Sequence, residues 1–200
     1  VVRDTPTGFT SVLSNAVQVA EPRVRAHLDA LGSLAQSGYP VPNLVMYEGG
    51  PGYALNGLNR QRVTEEQALR QERVLKSKAS GTSTLDAFLA TAQAGMRLQN
   101  FFNFRYGGTW SSHAPTGLGG HAYPTWEWVS LIGHDIRGEF LTVRADAVPR
   151  TTFPGVGRRA ELRDAPLVGV YALRNGDRLA LVAVSRQIPG APGVAGDGTV

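Results

Sequence analysis

The sequence predicts an α/β protein in two parts, with helices and strands alternating in residues 1–137 and antiparallel strands alone in residues 138–200. In the first part, short apolar runs alternate with amphipathic helical patterns, an order typical of parallel βαβ units. In the second part helical periodicity is missing, and two apolar runs flank an Asn-Gly pair, which is a strong hairpin signal. We therefore expect two domains that meet near Gly138.

The first elements are a helix and a buried strand. Residues 22–37 carry apolar side chains at helical spacing, with Pro22 in the first turn and Gly38 as the stop. The run Leu44-Val-Met-Tyr follows and ends in Glu48, directly before the turn residues Gly-Gly-Pro-Gly. A buried parallel strand delivers an acidic side chain to the carboxyl edge of a sheet in this way.

Two more helices and a strand complete the first part. Residues 54–80 are polar and predict one short surface helix, after which the capping-box pattern Ser83-Thr-Leu-Asp86 predicts the start of a second helix. The aromatic run 98–104 predicts a strand, and residues 107–122 form a glycine-rich loop. Pro124 then opens a helix, on which we expect Trp126 and Trp128 to serve packing.

The second part is predicted to be β-sheet throughout. Residues 140–143 indicate one strand, and residues 167–173 and 179–184 indicate the two strands of a hairpin around Asn175-Gly176. A β-only segment that follows alternating helices and strands is typical of a second domain.

Composition excludes several classes of protein. The chain lacks cysteine, so it has no disulfide, thiol nucleophile or cysteine zinc site, although this leaves the cellular compartment open. The net charge of +4 comes from dispersed arginines that form no basic stripe, which argues against nucleic-acid binding. No apolar run approaches the roughly 18 residues of a membrane span. The four histidines form neither HxH nor HExxH, and phosphate-loop and GxSxG patterns are missing, so we expect no metal and no cofactor.

The order of these elements resembles the C-terminal end of a retaining (β/α)8 glycoside hydrolase of the arabinofuranosidase- and xylosidase-like type, with a trailing β-sandwich. The strand ending in Glu48 resembles the seventh barrel strand, and Phe101-Phe-Asn-Phe-Arg-Tyr-Gly-Gly-Thr-Trp110 resembles the eighth strand and its loop. A complete barrel takes about 250 residues, so only its last quarter fits here. We therefore expect a piece of a longer protein, with barrel in residues 1–137 and the start of a sandwich in residues 138–200.

The resemblance implies a carbohydrate substrate, and five residues are candidates for the site that would bind it. Glu48 would be the nucleophile, and Trp110 would stack on a sugar ring. Tyr53, Arg105 and His113, each placed just beyond a predicted strand end, would surround the carboxylate. The family's acid/base glutamate follows an asparagine after the fourth strand, and Asn-Glu occurs nowhere in this chain. We therefore expect the 200 residues alone to be inactive.

Two other interpretations remain open at this point. The chain could belong to a non-catalytic carbohydrate-binding or surface protein on the same architecture. It could also be an unrelated α/β protein in which Glu48 is an ordinary strand-end carboxylate. Burial of Glu48 against a helix, away from Arg105 and Trp110, would favour the unrelated protein.

Overall fold

The computed structural model describes residues 4–51, 53, 61–104, 111–157 and 159–188 of the 200. It is a mixed α/β structure, as the sequence predicts. The helices are α1 (Pro6–Leu13), α2 (Glu21–Gln36), α3 (Glu65–Leu75), α4 (Lys78–Gln93) and α5 (Pro124–His134). The strands are β1 (Val45–Gly49), β2 (Leu98–Phe101), β3 (Glu139–Leu141), β4 (Arg150–Phe153), β5 (Leu162–Pro166), β6 (Val168–Asn175) and β7 (Arg178–Ser185). A π-helical segment, Ala16–Ala20, joins α1 to α2.

The first part contains a parallel βαβ unit. Strands β1 and β2 pair in parallel, with Val45 opposite Leu98 and Gly49 opposite Phe101. The connection between them carries α3 and α4, which agrees with the rule that parallel strands are joined by long, helical crossovers. The carboxyl ends of both strands consequently lie at the same edge of the sheet.

The described residues after Gly138 form strands and no helix. Strands β3, β6 and β7 make an antiparallel sheet in the order β3-β6-β7, and β4 pairs with β5 in a separate antiparallel pair. The predicted hairpin is present, with Asn175 opposite Arg178 and a two-residue turn between them. Gly176 adopts a φ of +59°, the left-handed conformation that this type of turn requires. The domain boundary, the barrel and the sandwich remain predictions.

Two helix boundaries follow from local sequence signals. Pro22 lies in the first turn of α2, and Gly38, with a φ of +81°, follows its end. Helix α3 begins at a capping box in which the Thr64 hydroxyl accepts from the Gln67 backbone N–H at 3.2 Å. The Gln67 side chain in turn accepts from the Thr64 N–H at 3.1 Å.

The predicted start of α4 at Ser83 is wrong. The helix begins at Lys78, and the hydroxyl of Ser77 accepts from the backbone N–H of Ser80 to cap it. Ser83 and Asp86 lie in the buried interior of α4 instead. The Ser83 hydroxyl donates to the Val12 carbonyl of α1 at 2.6 Å, so a tertiary contact uses the side chain that the local pattern assigned to a cap.

Helix α4 is the centre of the fold and is buried on nearly all sides. It contacts α1, the π-helical segment and α5, and it contacts β7 of the second part. Small residues allow this close packing, while the hydroxyls of Thr84 and Thr91 donate to helix carbonyls four residues earlier, at 2.8 and 2.7 Å. The main core cluster consists of Ala16, Leu85, Ala87, Leu89, Ala90, Ile136, Tyr171, Leu173 and Val184.

A buried ion pair links α4 to the strands of the second part. Arg186 donates from Nε to Asp86 Oδ2 at 2.7 Å and from Nη2 to Asp86 Oδ1 at 2.9 Å. The Tyr171 hydroxyl donates to the same Oδ1 at 2.6 Å. Gly169 lies against this pair, because a Cβ there would be 2.7 Å from Asp86 Oδ1 and 2.6 Å from Arg186 Nη2. The pair joins residues on opposite sides of the predicted boundary at Gly138.

Helix α1 and strands β4 and β5 have no individual counterpart in the sequence prediction. Helix α1 begins at Pro6, where the Thr5 hydroxyl accepts from the Gly8 N–H at 3.2 Å. The Thr5-Pro6 pair is a local signal for the start of a helix. The β4–β5 pair surrounds the fully buried Phe153, which forms a second small core with Ala165 and Leu167. Strands β4 and β5 are short, and apolar and polar residues alternate only weakly along them. Hydrophobic periodicity therefore does not predict them.

Replacement of Gly81 by alanine is expected to destabilise the protein by about 1–3 kcal/mol, because it overpacks the contact between α4 and α5. A Cβ at this position would lie 2.6 Å from the Pro124 carbonyl oxygen and 2.3 Å from Trp128 Cδ1. The tryptophan can rotate, but the backbone oxygen cannot move without shifting the start of α5. The free energy of unfolding from urea titration measures the loss.

Gly133 provides the matched control within α5. A Cβ there would meet no atom within 4 Å, and its φ is not positive. Alanine at this position should therefore stabilise the helix by about 0.5–1 kcal/mol through propensity alone. Equal effects of the Gly81→Ala and Gly133→Ala substitutions would contradict the proposed tight helix contact.

Candidate functional site

The candidate site lies at the shared carboxyl edge of β1 and β2. Glu48 is exposed near the end of β1, and residues 102–104 follow β2 at the same edge. The Phe102 N–H donates to the Gly49 carbonyl at 2.7 Å, which holds the two chain segments side by side after the strands end. Polar groups from both segments therefore meet where the sheet opens to solvent.

A bulge in β1 determines which residues face solvent here. Met46 pairs with Gln99, and Gly49 pairs with Phe101. Between these two pairs, β1 advances by three residues and β2 by two, so β1 contains one extra residue. A Cβ on Gly49 would touch both Met46 and Phe88 of α4, so Gly49 is directed to the helix face. The extra residue breaks the usual alternation and leaves both Tyr47 and Glu48 exposed.

The opposite face of the β1–β2 pair, here called the open face, lacks a covering layer in the described residues. Its apolar side chains Tyr47, Leu98 and Val45 are 82%, 54% and 52% exposed. Gln99 and Phe101 instead contact the helices: Gln99 bonds to Thr91 and Phe88 of α4, and Phe101 packs on Phe88 and Trp126. Glu48 thus stands beside a strip of exposed apolar surface.

Asn103 is a candidate site residue that the sequence analysis did not identify. Its side-chain Oδ1 and Nδ2 are both buried, and neither has a hydrogen-bond partner. Its backbone oxygen accepts from the Ser112 N–H at 3.0 Å, which fixes the segment after β2. Buried amides are nearly always satisfied, so the unsatisfied amide in the segment after β2 marks a place where a bound water or a ligand group would complete the hydrogen bonding. An asparagine within an aromatic strand pattern carries no sequence signal for this role.

His113 lies close to the same segment, in an aromatic environment. Its ring centroid is 4.5 Å from that of Phe104 and 5.6 Å from that of Trp126. Its Nδ1 is 2.9 Å from Ser112 Oγ, and the Ser112 hydroxyl proton is engaged with the Phe104 carbonyl at 3.0 Å. In the neutral imidazole, Nδ1 then donates to Ser112 Oγ and Nε2 is the hydrogen-bond acceptor. Trp126 packs against strand and loop aromatics, in line with the packing role expected for it.

The remaining predicted site residues are not assembled around Glu48 by any described contact. The Tyr53 hydroxyl forms a hydrogen bond of 2.5 Å with Ser80 Oγ of α4, and the Tyr53 carbonyl accepts from Gln71 at 3.1 Å. Burial raises the pKa of the Tyr53 phenol to about 12, although its hydrogen bonds to hydroxyl groups oppose the shift. Tyr53 is thus held by the helices, whereas Arg105 and Trp110 lie outside the described residues.

Glu48 has the properties of an available carboxylate. It is exposed, and no described residue forms an ion pair or hydrogen bond with it. Glu48 is therefore not buried against a helix, the arrangement that would have favoured an unrelated α/β protein. Within the described ranges, no group of three His, Cys, Asp or Glu side chains could hold a metal ion. Among the same residues, no helix has both the length and the apolar character needed to cross a bilayer.

Comparison of the chain with protein-family models, with curated proteins and with solved structures finds no match. The function must therefore be argued from the site itself.

Proposed function

We propose that this chain carries the nucleophile of a retaining glycoside hydrolase that cleaves glycosidic bonds in poly- or oligosaccharides. The observation that carries the proposal is the exposed carboxylate of Glu48 at the bulged end of a parallel strand, which has no ion pair or hydrogen bond within the described part of the chain. Active sites of (β/α)8 enzymes occupy this end of the strands. The neighbouring strand end adds an unpartnered amide, Asn103, and an imidazole acceptor, His113.

The open face supports a (β/α)8 barrel as the architecture. Parallel strands are normally covered on both faces, yet among the described residues α4 and α5 cover one face of the β1–β2 pair and nothing covers the other. In the proposed barrel, further parallel strands bury Val45, Tyr47 and Leu98, and the two strands here are the seventh and eighth. The antiparallel strands β3 to β7 then belong to the trailing β-sandwich.

The chemistry follows from the two-carboxylate mechanism. The Glu48 carboxylate attacks the anomeric carbon, the bond to the leaving oxygen breaks, and a carboxylic acid protonates that oxygen. Water then hydrolyses the glycosyl ester on Glu48, after the second carboxylate removes a proton from it. That partner must lie about 5–5.5 Å from Glu48 in a retaining enzyme. We infer that it comes from sequence outside these 200 residues, because the expected Asn-Glu pair is missing from them.

Asn103 and His113 suit the substrate side of this reaction. An amide can donate to one sugar hydroxyl and accept from another, and the His113 Nε2 can accept from a third. Both residues are held by Ser112, which bonds to the Asn103 carbonyl through its N–H and to His113 through its hydroxyl. Ser112 itself is fully buried, so its position is fixed by packing.

Covalent trapping tests the proposal directly. We expect the full-length protein that contains this chain, incubated with aryl 2-deoxy-2-fluoroglycosides, to accumulate a glycosyl-enzyme whose label is found by mass spectrometry on the peptide containing Glu48. Excess natural substrate should slow the labelling, and the Glu48→Gln protein should stay unlabelled. A label on another carboxylate would assign the nucleophile elsewhere. Saturable sugar binding without label or turnover would instead support the non-catalytic carbohydrate-binding protein.

A further inference from the structure

A cavity of about 570 Å³ lies behind the sheet, between residues 15–27, β1 and α4. Its volume falls in the range of small-molecule sites. Most of its wall is apolar, and the side chains that make this wall are Val19, Val24, Met46, Phe88, Met96 and Val156.

Two arginines give the cavity a positive charge. Arg159 donates from Nη1 to the Ser11 carbonyl at 2.6 Å and from Nη2 to Asn15 Oδ1 at 3.1 Å, so its hydrogen-bond partners are neutral oxygens. Arg23, on the first turn of α2, is exposed and has no ion-pair or hydrogen-bond partner among the described residues. Both arginines line the cavity, and no described carboxylate forms an ion pair with either of them.

The two cations influence each other. Burial lowers the pKa of Arg159, and the positive charge of Arg23 lowers it further, so the two guanidinium groups repel each other across the cavity. An anion between them would relieve this repulsion and accept charge-assisted hydrogen bonds from both. Arg159 is already oriented by Ser11 and Asn15, which reduces the side-chain entropy lost on binding.

The other polar residues restrict the charge of a ligand. Among the described residues that line the cavity, Glu48 is the one carboxylate, and His27 is the remaining ionisable group. Glu48 forms no ion pair with either arginine in the described structure, so its charge offsets theirs only across the cavity. One negatively charged group fits the end of the cavity where the arginines lie. A second negatively charged group on the same ligand would be unfavourable, because it would lie among apolar side chains or near the carboxylate of Glu48.

We propose that this cavity binds an organic monocarboxylate with an apolar body, its carboxylate placed between Arg23 and Arg159 and its body against the wall formed by Val24, Met46 and Phe88. The cavity is too large for a simple inorganic anion alone, and its apolar wall suits a chain or ring of carbon atoms. Glu48 lines this cavity and is also the proposed nucleophile, but binding of the monocarboxylate needs neither a second carboxylate nor the open face.

Calorimetric titration of the full-length protein that contains this chain with hexanoate, at constant ionic strength, tests the proposal. We expect saturable binding that the Arg23→Gln substitution weakens at least about tenfold, the loss expected when a hydrogen bond to a charged group is removed. Arg25→Gln is the matched control: it removes the same charge from the same helix, but Arg25 is paired with Glu21 at 2.7 Å and does not line the cavity. Arg23 makes no described contact, so its removal should leave folding intact.

Three further titrations decide the chemistry of the ligand. Hexanol has the apolar body without the charge, and acetate has the charge without the body, so both should bind at least about tenfold more weakly than hexanoate if charge and apolar contact both contribute. Sulfate should likewise bind more weakly. Equal affinities of the Arg23→Gln and Arg25→Gln proteins, hexanol binding as tight as hexanoate, sulfate or acetate binding as tight as hexanoate, or no saturable binding would each overturn the proposal.

Discussion

Replacing Arg186 with methionine is expected to lower the free energy of unfolding by about 3–5 kcal/mol, because it leaves the Asp86 carboxylate buried without its cation. Asp86 and Arg186 are 0% and 3% exposed, and two hydrogen bonds of 2.7 and 2.9 Å join them. An effect of this size is a large part of the stability of a domain. Urea unfolding followed by tryptophan fluorescence measures it.

The surroundings of the pair explain why the loss should be large. Burial by itself lowers the pKa of Arg186, but the hydrogen bonds and charge of Asp86 raise it above its ordinary value. Burial and the negative charge of Asp86 both raise the pKa of the Tyr171 phenol, so its hydroxyl remains a donor to Asp86. Without Arg186, the carboxylate retains one phenolic donor and the low-dielectric surroundings that penalise its charge.

A double-substitution cycle separates the ion pair from simple loss of packing. The protein with Asp86→Leu and Arg186→Met should be more stable than either single variant, since it removes both charges and leaves neither one unpaired. Arg150→Met provides a surface control, because Arg150 and Asp164 are 51% and 77% exposed and their pair should contribute little. Additive losses in the cycle would contradict the coupling that we infer.

Local signals predicted those parts of the fold that depend on local geometry. Pro22 and Gly38 mark the ends of α2 because proline fixes the backbone of a first helical turn and glycine tolerates a positive φ after the last one. Asn175-Gly176 marked the β6–β7 turn for the same kind of reason. The parallel arrangement of β1 and β2 followed from the long helical connection between them.

The same local patterns failed where a distant partner determines the role of a residue. Ser83 and Asp86 have the spacing of a capping box, yet Asp86 bonds to a residue 100 positions later and Ser83 to a carbonyl 71 positions earlier. No local pattern contains these partners. Gly169 is a second example. It has no side chain because the Asp86–Arg186 ion pair occupies the adjacent space, and no local sequence pattern contains that reason.

Some features of the candidate site could likewise be predicted from local sequence, and others depend on distant parts of the chain. The position of Glu48 at a strand end could be read from an apolar run followed by a glycine-rich turn. Its exposure depends on the bulge between Met46 and Gly49, and that bulge exists only through the pairing register with β2. The orphan amide of Asn103 depends on the loop that carries Ser112, so neither feature could be obtained from one strand considered alone.

Replacing Glu48 with glutamine in the full-length protein is expected to reduce glycoside turnover by at least about a thousandfold, since a neutral amide cannot form the glycosyl ester. Stability should hardly change, because Glu48 is exposed and makes no ion pair or hydrogen bond in the described structure. A panel of aryl glycosides gives kcat, and thermal unfolding of the same preparations tests the fold. The combination of lost turnover and unchanged melting temperature is what distinguishes a reacting group from a structural one.

The matched control is Glu139→Gln, which removes an exposed strand carboxylate from β3, outside the candidate site, and should leave kcat unaltered. External azide added to the Glu48→Ala protein provides a second readout, since a small anion can enter the space left by the truncated side chain and attack the anomeric carbon from the same face. We expect azide to restore part of the turnover of the Glu48→Ala protein and to give a glycosyl azide of inverted configuration. Near-normal turnover after this substitution would remove Glu48 from the mechanism, and with it the proposal that the bulged end of β1 presents a nucleophile.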